Sequence, residues 1–504
     1  MLVLQIGTRD WSPGLRLPDD VEWHFLDVGD PNAADYLTVK TVEVTVAEAP
    51  CRAEVLARLD PLISPHTFLF TENAEPPRDT PEAHWYLRKA ARHVDASDRQ
   101  ALVEKLARTY YRRQFGQKVP SNSLLVSPLW PSPPTYLGNT GLSLPVDTAV
   151  MRPAVSWRQS IRYENDRDMD LWLEYQADGD VEVELTAQLT KAGTSDVISW
   201  QRTFTATDME QPVRVFHPDS GYLACSLSAR GTGTLRIGQL HYRHSRHGEG
   251  HFIAGGRRLV DANREELFYY YHPGNLQPPL NIYFAGYRPA EGFEGLGVMT
   301  GLGHPFLVIT DPRLEGGRFY LGSAELEVQL HQVIRDLMAE LGFTEQDLIF
   351  SGLSMGAFGA LYHGSQFDAQ AIIAGKPIID LPYVARQTRL TRPGEFLTVL
   401  DLINFWQQRA DGDGTPEGFT AALLQRWRSA ECLKHTKVLL AYMLQDDYDD
   451  QAYHTLLTSQ AGKPTEVVAR GYQGRHNDDS PSIVAWFVGQ YQRVIAEYRE
   501  QHHG

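Results

Sequence analysis

Asp347-Leu-Ile-Phe-Ser-Gly-Leu-Ser-Met-Gly-Ala-Phe-Gly-Ala-Leu361 governs how the rest of the chain is read. An apolar run leads into Gly352-Leu-Ser-Met-Gly356, and small residues suited to a packed helix follow. Strand, sharp turn and helix in that order make a nucleophile elbow. The serine sits on a strained turn, and glycines two residues to either side let neighbouring backbone pass without Cβ clashes. The G-x-S-x-G string alone is a weak signal that arises by chance. Its placement between an apolar run and a small-residue helix makes Ser354 the candidate nucleophile.

Working outward, apolar runs alternate with helical segments from about 251 to 504, the order of a doubly wound parallel sheet. Strands are expected at Leu280 to Ala285, Phe306 to Thr310, Asp347 to Phe350, Ala371 to Ala374, Val438 to Tyr442 and Glu466 to Ala469. Glu325 to Leu341 places Leu326, Leu330, Val333, Leu337 and Leu341 on one helical face, with Gly342 as its stop. This predicts an α/β-hydrolase domain, in which the nucleophile, acid and base follow in that chain order.

A serine hydroxyl needs a base, and His476 lies in a glycine-containing loop, Arg470 to Asp479, after the last expected strand. His435 and His454 are alternatives, one preceding a strand and the other in a helical stretch. The acid belongs after Val438 to Tyr442, where Asp446, Asp447, Asp449 and Asp450 crowd one loop. Asp446 is the first choice and Asp447 the second, with Asp449 and Asp450 expected in solvent. Two donors must meet the acyl oxyanion: Met355 N–H at the helix start, and Gly286 or Tyr287 N–H after the strand ending at Ala285. Arg288 beside them is either an anion-binding residue or a surface ion-pair partner.

Ahead of this region, residues 1–135 read as a small α/β domain, without a glycine-rich phosphate loop after its first strand. Ser127 to Pro134 is proline-dense and reads as a linker. Residues 136–250 change to period two. Leu171 to Tyr175 and Val181 to Leu189 alternate on either side of Asp178-Gly179, a hairpin signal, and an all-β sandwich of carbohydrate-binding type is expected. Trp157, Trp172, Trp200 and Phe204 are assigned to its core rather than to a sugar platform. The tract His241-Tyr-Arg-His-Ser-Arg-His247 matches no zinc spacing and reads as a solvated strand end.

The 504 residues, 42% hydrophobic and 22% charged, suit a globular protein of two or three domains. A formal net charge of -16 argues against nucleic-acid binding. Met1 to Gly14 has no basic n-region, and no stretch approaches the roughly 18 apolar residues of a membrane span. Cys51, Cys225 and Cys432 stand far apart and read as free buried thiols in a reducing, cytoplasmic setting. No metal site is expected.

Several segments share a further likeness: Leu4-Gln-Ile-Gly7, Arg9-Asp-Trp11, Glu22-Trp-His-Phe25, Tyr283-Phe-Ala-Gly-Tyr-Arg288, Glu291-Gly-Phe-Glu-Gly295, Ser351 to Ala360 and Gly375-Lys-Pro377. Together they resemble the second accessory secretory protein family of the bacterial accessory Sec system, over essentially the whole chain. The resemblance implies export of serine-rich-repeat glycoprotein adhesins, at the inner face of the cell membrane. It implies partnership with the other accessory secretory proteins and a dedicated translocase motor. It also implies O-acetylation of N-acetylglucosamine on the adhesin, through a triad onto which Ser354 and His476 map. An acetyl donor would be a co-substrate, with acetyl-CoA the candidate, and no tightly bound cofactor is implied. The family can use glutamate as the acid, whereas this loop offers only aspartates. Carbohydrate esterase and non-catalytic adhesin-binding export factor are the alternatives.

Overall fold

The computed structural model describes residues 1–30, 41–314, 316–391, 401–402, 415–430, 433, 435–460 and 465–503. The protein is mixed α/β with several sheets. The first sheet contains β1 (Leu2–Gly7), β2 (Glu22–Asp27), β3 (Val44–Ala47), β4 (Phe68–Phe70) and β5 (Arg92–His93), all parallel, in the order β2-β1-β3-β4-β5. Every residue of β1 and β3 is buried, because helices cover both faces. Ala53–Leu59 and Pro81–Arg88 pack with Leu2, Leu4 and Ile6, whereas Arg99–Thr109 packs with Val3, Val44 and Val46. Thr80 and Asp98 start the last two of these helices by accepting the N–H groups of Ala83 and Ala101.

The central sheet is antiparallel, with nine strands: β6 (Gly116–Val119), β7 (Leu124–Val126), β8 (Thr135–Leu137), β9 (Gly141–Trp157), β10 (Ile161–Tyr163), β11 (Met169–Lys191), β12 (Ile198–Thr205), β13 (Val213–Val215) and β14 (Gly221–His244). Three expectations are corrected here. Asp178-Gly179 is not a turn: β11 runs straight through it, paired along its length with β14. Gly179 (φ +82°) lies opposite Gly233 (φ +154°), and a Cβ on Gly233 would stand 2.0 Å from the Asp178 carbonyl oxygen. The glycines thus permit a backbone irregularity inside a continuous strand. Both halves of β11 bury side chains in one cluster, Leu171 and Leu173 from one and Val183 to Leu189 from the other.

The proline-dense stretch before 135 does not separate two sheets. It connects β7 and β8, both of which pair with β9, while β6 pairs with β14. The tract from His241 is also not solvated: His241, Arg243 and Arg246 are buried. His241 meets Glu291 at 2.6 Å and Glu174 at 3.0 Å, and Arg243 meets Glu266 at 2.7 Å. His241 and Arg243 are tolerable inside because carboxylates pair with them, and Arg246 because its guanidinium donates to the carbonyls of Phe252, Thr109 and Arg113. Trp157, Trp172 and Phe204 are buried, and Trp200 packs against the same cluster as Phe204. Cys51 and Cys225 are free and buried, and burial pushes both thiols up to about 12; Cys432 lies outside the described residues.

After a two-stranded hairpin, β15 (Gly250–His251) and β16 (Ile253–Ala254), comes the third large sheet. It holds β17 (Arg257–Val260), β18 (Glu266–His272), β19 (Leu280–Phe284), β20 (Phe306–Thr310), β21 (Leu348–Leu353), β22 (Ala371–Gly375), β23 (Lys437–Met443) and β24 (Val467–Tyr472). The order is β17-β18-β20-β19-β21-β22-β23-β24. The expected parallel sheet is present from β20 to β24, but β17 and β18 add an antiparallel edge. From β19 the chain steps outward to β20 and then returns to β21 on the other side of β19. That reversal opens a crevice at the carboxyl ends of β19 and β21, where ligands bind in open α/β sheets.

Helices cover both faces. Ala324–Leu341 starts on a Ser323 cap, ends on left-handed Gly342, and buries Leu326, Leu330, Ile334 and Leu337, with Val333 and Leu341 at the margin. Phe487, Tyr491 and Val494 of Ser480–His503 pack on the opposite face.

Candidate active site

Ser354 follows β21 with φ +56° and ψ −118°, a strained conformation held by its surroundings. Its N–H donates to Gly375 O at 2.8 Å, and helix Met355–Gly364 begins at the next residue. The flanking glycines are required by contact: a Cβ on Gly352 would lie 2.1 Å from Gly356 O, and one on Gly356 would lie 2.0 Å from Phe284 O. All ten residues of the helix are buried, and packing leaves no room at Gly359, where a Cβ would lie 2.6 Å from the Tyr320 ring.

His476 sits between β24 and the final helix and is 2% exposed. Its Nε2 is 2.9 Å from Ser354 Oγ, and its Nδ1 lies 2.8 and 3.1 Å from the two carboxylate oxygens of Asp446. Asp446 is fixed in turn by the N–H of Tyr448 at 2.9 Å and of Asp449 at 3.3 Å. Asp447 instead accepts the backbone N–H of His476 at 3.0 Å, so it holds the loop rather than the ring. The Tyr448 ring packs edgewise on the imidazole, 4.6 Å between centroids. Serine, imidazole and carboxylate therefore form one hydrogen-bonded run across residues more than a hundred positions apart.

His435 is exposed and pairs with Asp368, and His454 lies in helix Ala452–Ser459; neither is bonded to Ser354 among the described residues. Asp449 departs from expectation. It is buried and accepts the N–H groups of Ile379 and Asp380, which pins the chain after β22 to the chain after β23; burial raises its carboxyl. Asp450 is exposed, as expected.

Met355 N–H opens its helix and donates to no acceptor among the described residues. Gly286 N–H, in contrast, donates to the Glu294 carboxylate. Tyr287 lies one residue further, its ring against the backbone of Gly316. Arg288 makes neither of the expected contacts: its Nη1 donates to Phe293 O at 3.0 Å and braces its own loop.

Two residues without an assigned role in the sequence stand here. Glu294 is one. Lys376, at the end of β22, is the other: left-handed (φ +51°), 7% exposed and without an ion pair among the described residues. Burial lowers its pKa, opposed by the Asp446 carboxylate. Both lie in segments that carry the family resemblance, Glu291 to Gly295 and Gly375 to Pro377, without a role having been read for either side chain. Among the described residues no group of three His, Cys, Asp or Glu side chains could hold a metal ion, and no helix is long and apolar enough to cross a membrane.

Fold and site define a mixed α/β protein of several sheets with a hydrolase-like serine elbow at the switch point of its largest parallel sheet. Residues 1–501 match the family described as "Accessory Sec system GspB-transporter". An accessory Sec system protein from Streptococcus gordonii is 35% identical over 503 residues, covering 98% of each chain. Its counterpart from Staphylococcus aureus (strain NCTC 8325 / PS 47) is 36% identical over 512 residues, covering 98% of this chain and 96% of that one. A chain of the "Glycosylation Associate Protein (Gap123) complex from Streptococcus agalactiae" superposes with a TM-score of 0.87 at 32% identity, with 98% of each chain covered. The chain belongs to this accessory Sec system family.

Proposed function

We propose that the third sheet and its helices form an α/β-hydrolase domain that O-acetylates N-acetylglucosamine on serine-rich-repeat adhesins, with Ser354, His476 and Asp446 as its triad. The observation that carries this reading is the run from Asp446 through His476 to Ser354 on a strained elbow. His476 Nε2 takes the serine proton as Ser354 Oγ bonds to the acetyl carbonyl carbon of the donor, acetyl-CoA or a similar activated acetyl group. The tetrahedral oxyanion collapses, the leaving group departs with the proton from His476, and an acetyl-serine remains. A sugar hydroxyl then gives its proton to His476 and bonds to the acetyl carbon, and Ser354 Oγ leaves with that proton from His476. Asp446 holds the imidazole tautomer throughout. Transfer prevails over hydrolysis if the acceptor hydroxyl is positioned and water is kept out.

Membership of the family and the 0.87 superposition on a chain of a three-protein complex support a place beside the other accessory secretory proteins and the translocase motor. We place that assembly in the cytoplasm, peripheral to the inner membrane face.

The test is Ser354→Ala in the intact pathway, scoring adhesin acetylation and adhesin export separately. Acetylation is expected to be lost. Its retention would overturn the catalytic reading in favour of a binding and export factor, and release of free acetate by the purified protein without transfer would make it an esterase.

A further inference from the structure

An acyl-transfer site needs an open donor where Glu294 now stands. β19 and β21 run in parallel with Phe284 beside Gly352, and Gly286 follows just beyond the end of that ladder, near the carbonyl of Leu353, the residue before Ser354. Gly286 N–H donates to Glu294 Oε1, and the Tyr283 hydroxyl donates to the same oxygen at 3.3 Å. A Cβ on Gly286 would lie 3.2 Å from that oxygen and 3.5 Å from Leu353 O, so the carboxylate stands against the elbow itself. The loop is folded tightly to bring it there: Gly295 is left-handed (φ +76°), and a Cβ on it would be 2.5 Å from the Tyr283 ring.

Glu294 forms no ion pair among the described residues, so its charge is not held elsewhere. The loop around it is held firmly. Arg288 braces Phe293 O, Gln114 receives Phe293 N–H at 2.7 Å, and Glu291 is locked to the central sheet by His241 and Arg243. The Glu294 side chain itself is half-buried, at the solvent margin of this braced loop.

A carboxylate and a developing oxyanion cannot share one N–H, and their like charges repel strongly in a site with little water. Resting on the acyl-transfer reading above, we infer that Glu294 gates the oxyanion hole. It holds Gly286 N–H, as seen here, and withdraws when an acyl oxygen takes its place, so it acts through Gly286 rather than on the reacting atoms.

The test is the second-order rate at which a small alkyl fluorophosphonate modifies Ser354 in the full-length protein. Ser354 Oγ bonds to phosphorus, fluoride leaves, His476 takes the serine proton, and the phosphoryl oxygen enters the oxyanion hole. Glu294→Gln keeps the shape without the charge, and Glu294→Asp keeps the charge on a shorter arm. Both are expected to react roughly tenfold faster than the parent, with unchanged melting. In a crystal structure of the parent adduct, Gly286 N–H is expected on the phosphoryl oxygen with Glu294 turned away. Equal or slower reaction in both variants, or Glu294 still on Gly286 in the adduct, would overturn the gate and leave the nucleophile standing. No modification of Ser354 in any of the three proteins would overturn both.

Discussion

Replacing Asp446 and Asp447 in turn by asparagine separates what each does for His476. Asp446→Asn puts an amide against Nδ1 and favours the wrong imidazole tautomer, so turnover of p-nitrophenyl acetate is expected to fall by roughly 10⁴-fold. Asp447→Asn keeps an oxygen for the backbone N–H of His476 and is expected to stay within about tenfold of the parent. Equal losses would remove the distinction. At this scale much of the site was legible in the sequence. Ser354 and His476 announce themselves because elbow and base loop are short local patterns. The choice between two adjacent aspartates depends on a loop turn that composition does not encode. The Glu294 carboxylate on Gly286 N–H is a contact inside one irregular loop, whose path no periodic pattern encodes.

Among the strands, the glycines of β14 give a sharper test than any core residue. A Cβ on Gly231 (φ +111°) would be 1.7 Å from Asp180 O, whereas Gly193 (φ +80°) has nothing within 4 Å. Gly193→Ala is expected to cost about 1–2 kcal/mol, for its left-handed backbone alone. Gly231→Ala adds a backbone collision and is expected to cost about 2–5 kcal/mol in urea unfolding. Similar costs would argue against close pairing at that point. These glycines also explain a misreading. Asp-Gly between alternating runs is a strong turn signal, and only the 24-residue partner strand shows that it is bridged. The buried strands β19 to β23 were legible because burial on both faces demands continuous apolar runs. β17 was not: Arg257-Arg-Leu-Val260 is a half-exposed edge without alternation. The tract from His241 misled because its partners, Glu291 and Glu174, lie 50 and 67 residues away.

Across the whole molecule, the buried network around Glu291 joins the central sheet to the loop that carries Gly286 and Glu294. Burial disfavours a charge on His241, but Glu291 and Glu174 prevail and raise its pKa to about 9 from 6.5. Because the folded value lies above the unfolded one, this stabilisation is complete below pH 6.5 and is lost as pH rises through 9. The melting temperature is expected to fall across that window, and His241→Gln should flatten the fall; parallel curves would contradict it. Glu291 runs the other way. Burial is outweighed by Arg243 and His241, which lower its pKa to about 2. Its contribution holds above the ordinary 4.5 and fails in strong acid. Glu291→Ala leaves Arg243 and His241 short of a counter-charge and is expected to cost about 3–5 kcal/mol by denaturant unfolding.

The same network decides how this chain can be taken apart. A fragment beginning at residue 251 keeps Glu291 and Glu266 but discards His241 and Arg243, their counter-charges. The serine elbow would survive such a cut on paper, while Glu291 in the loop facing it would lose both of its counter-charges and Glu266 would keep only Arg258. The half that carries Ser354 is therefore not a transplantable cassette. Any minimal version, whether trimmed for crystallisation or grafted into another protein, must bring the long strand β14 with it.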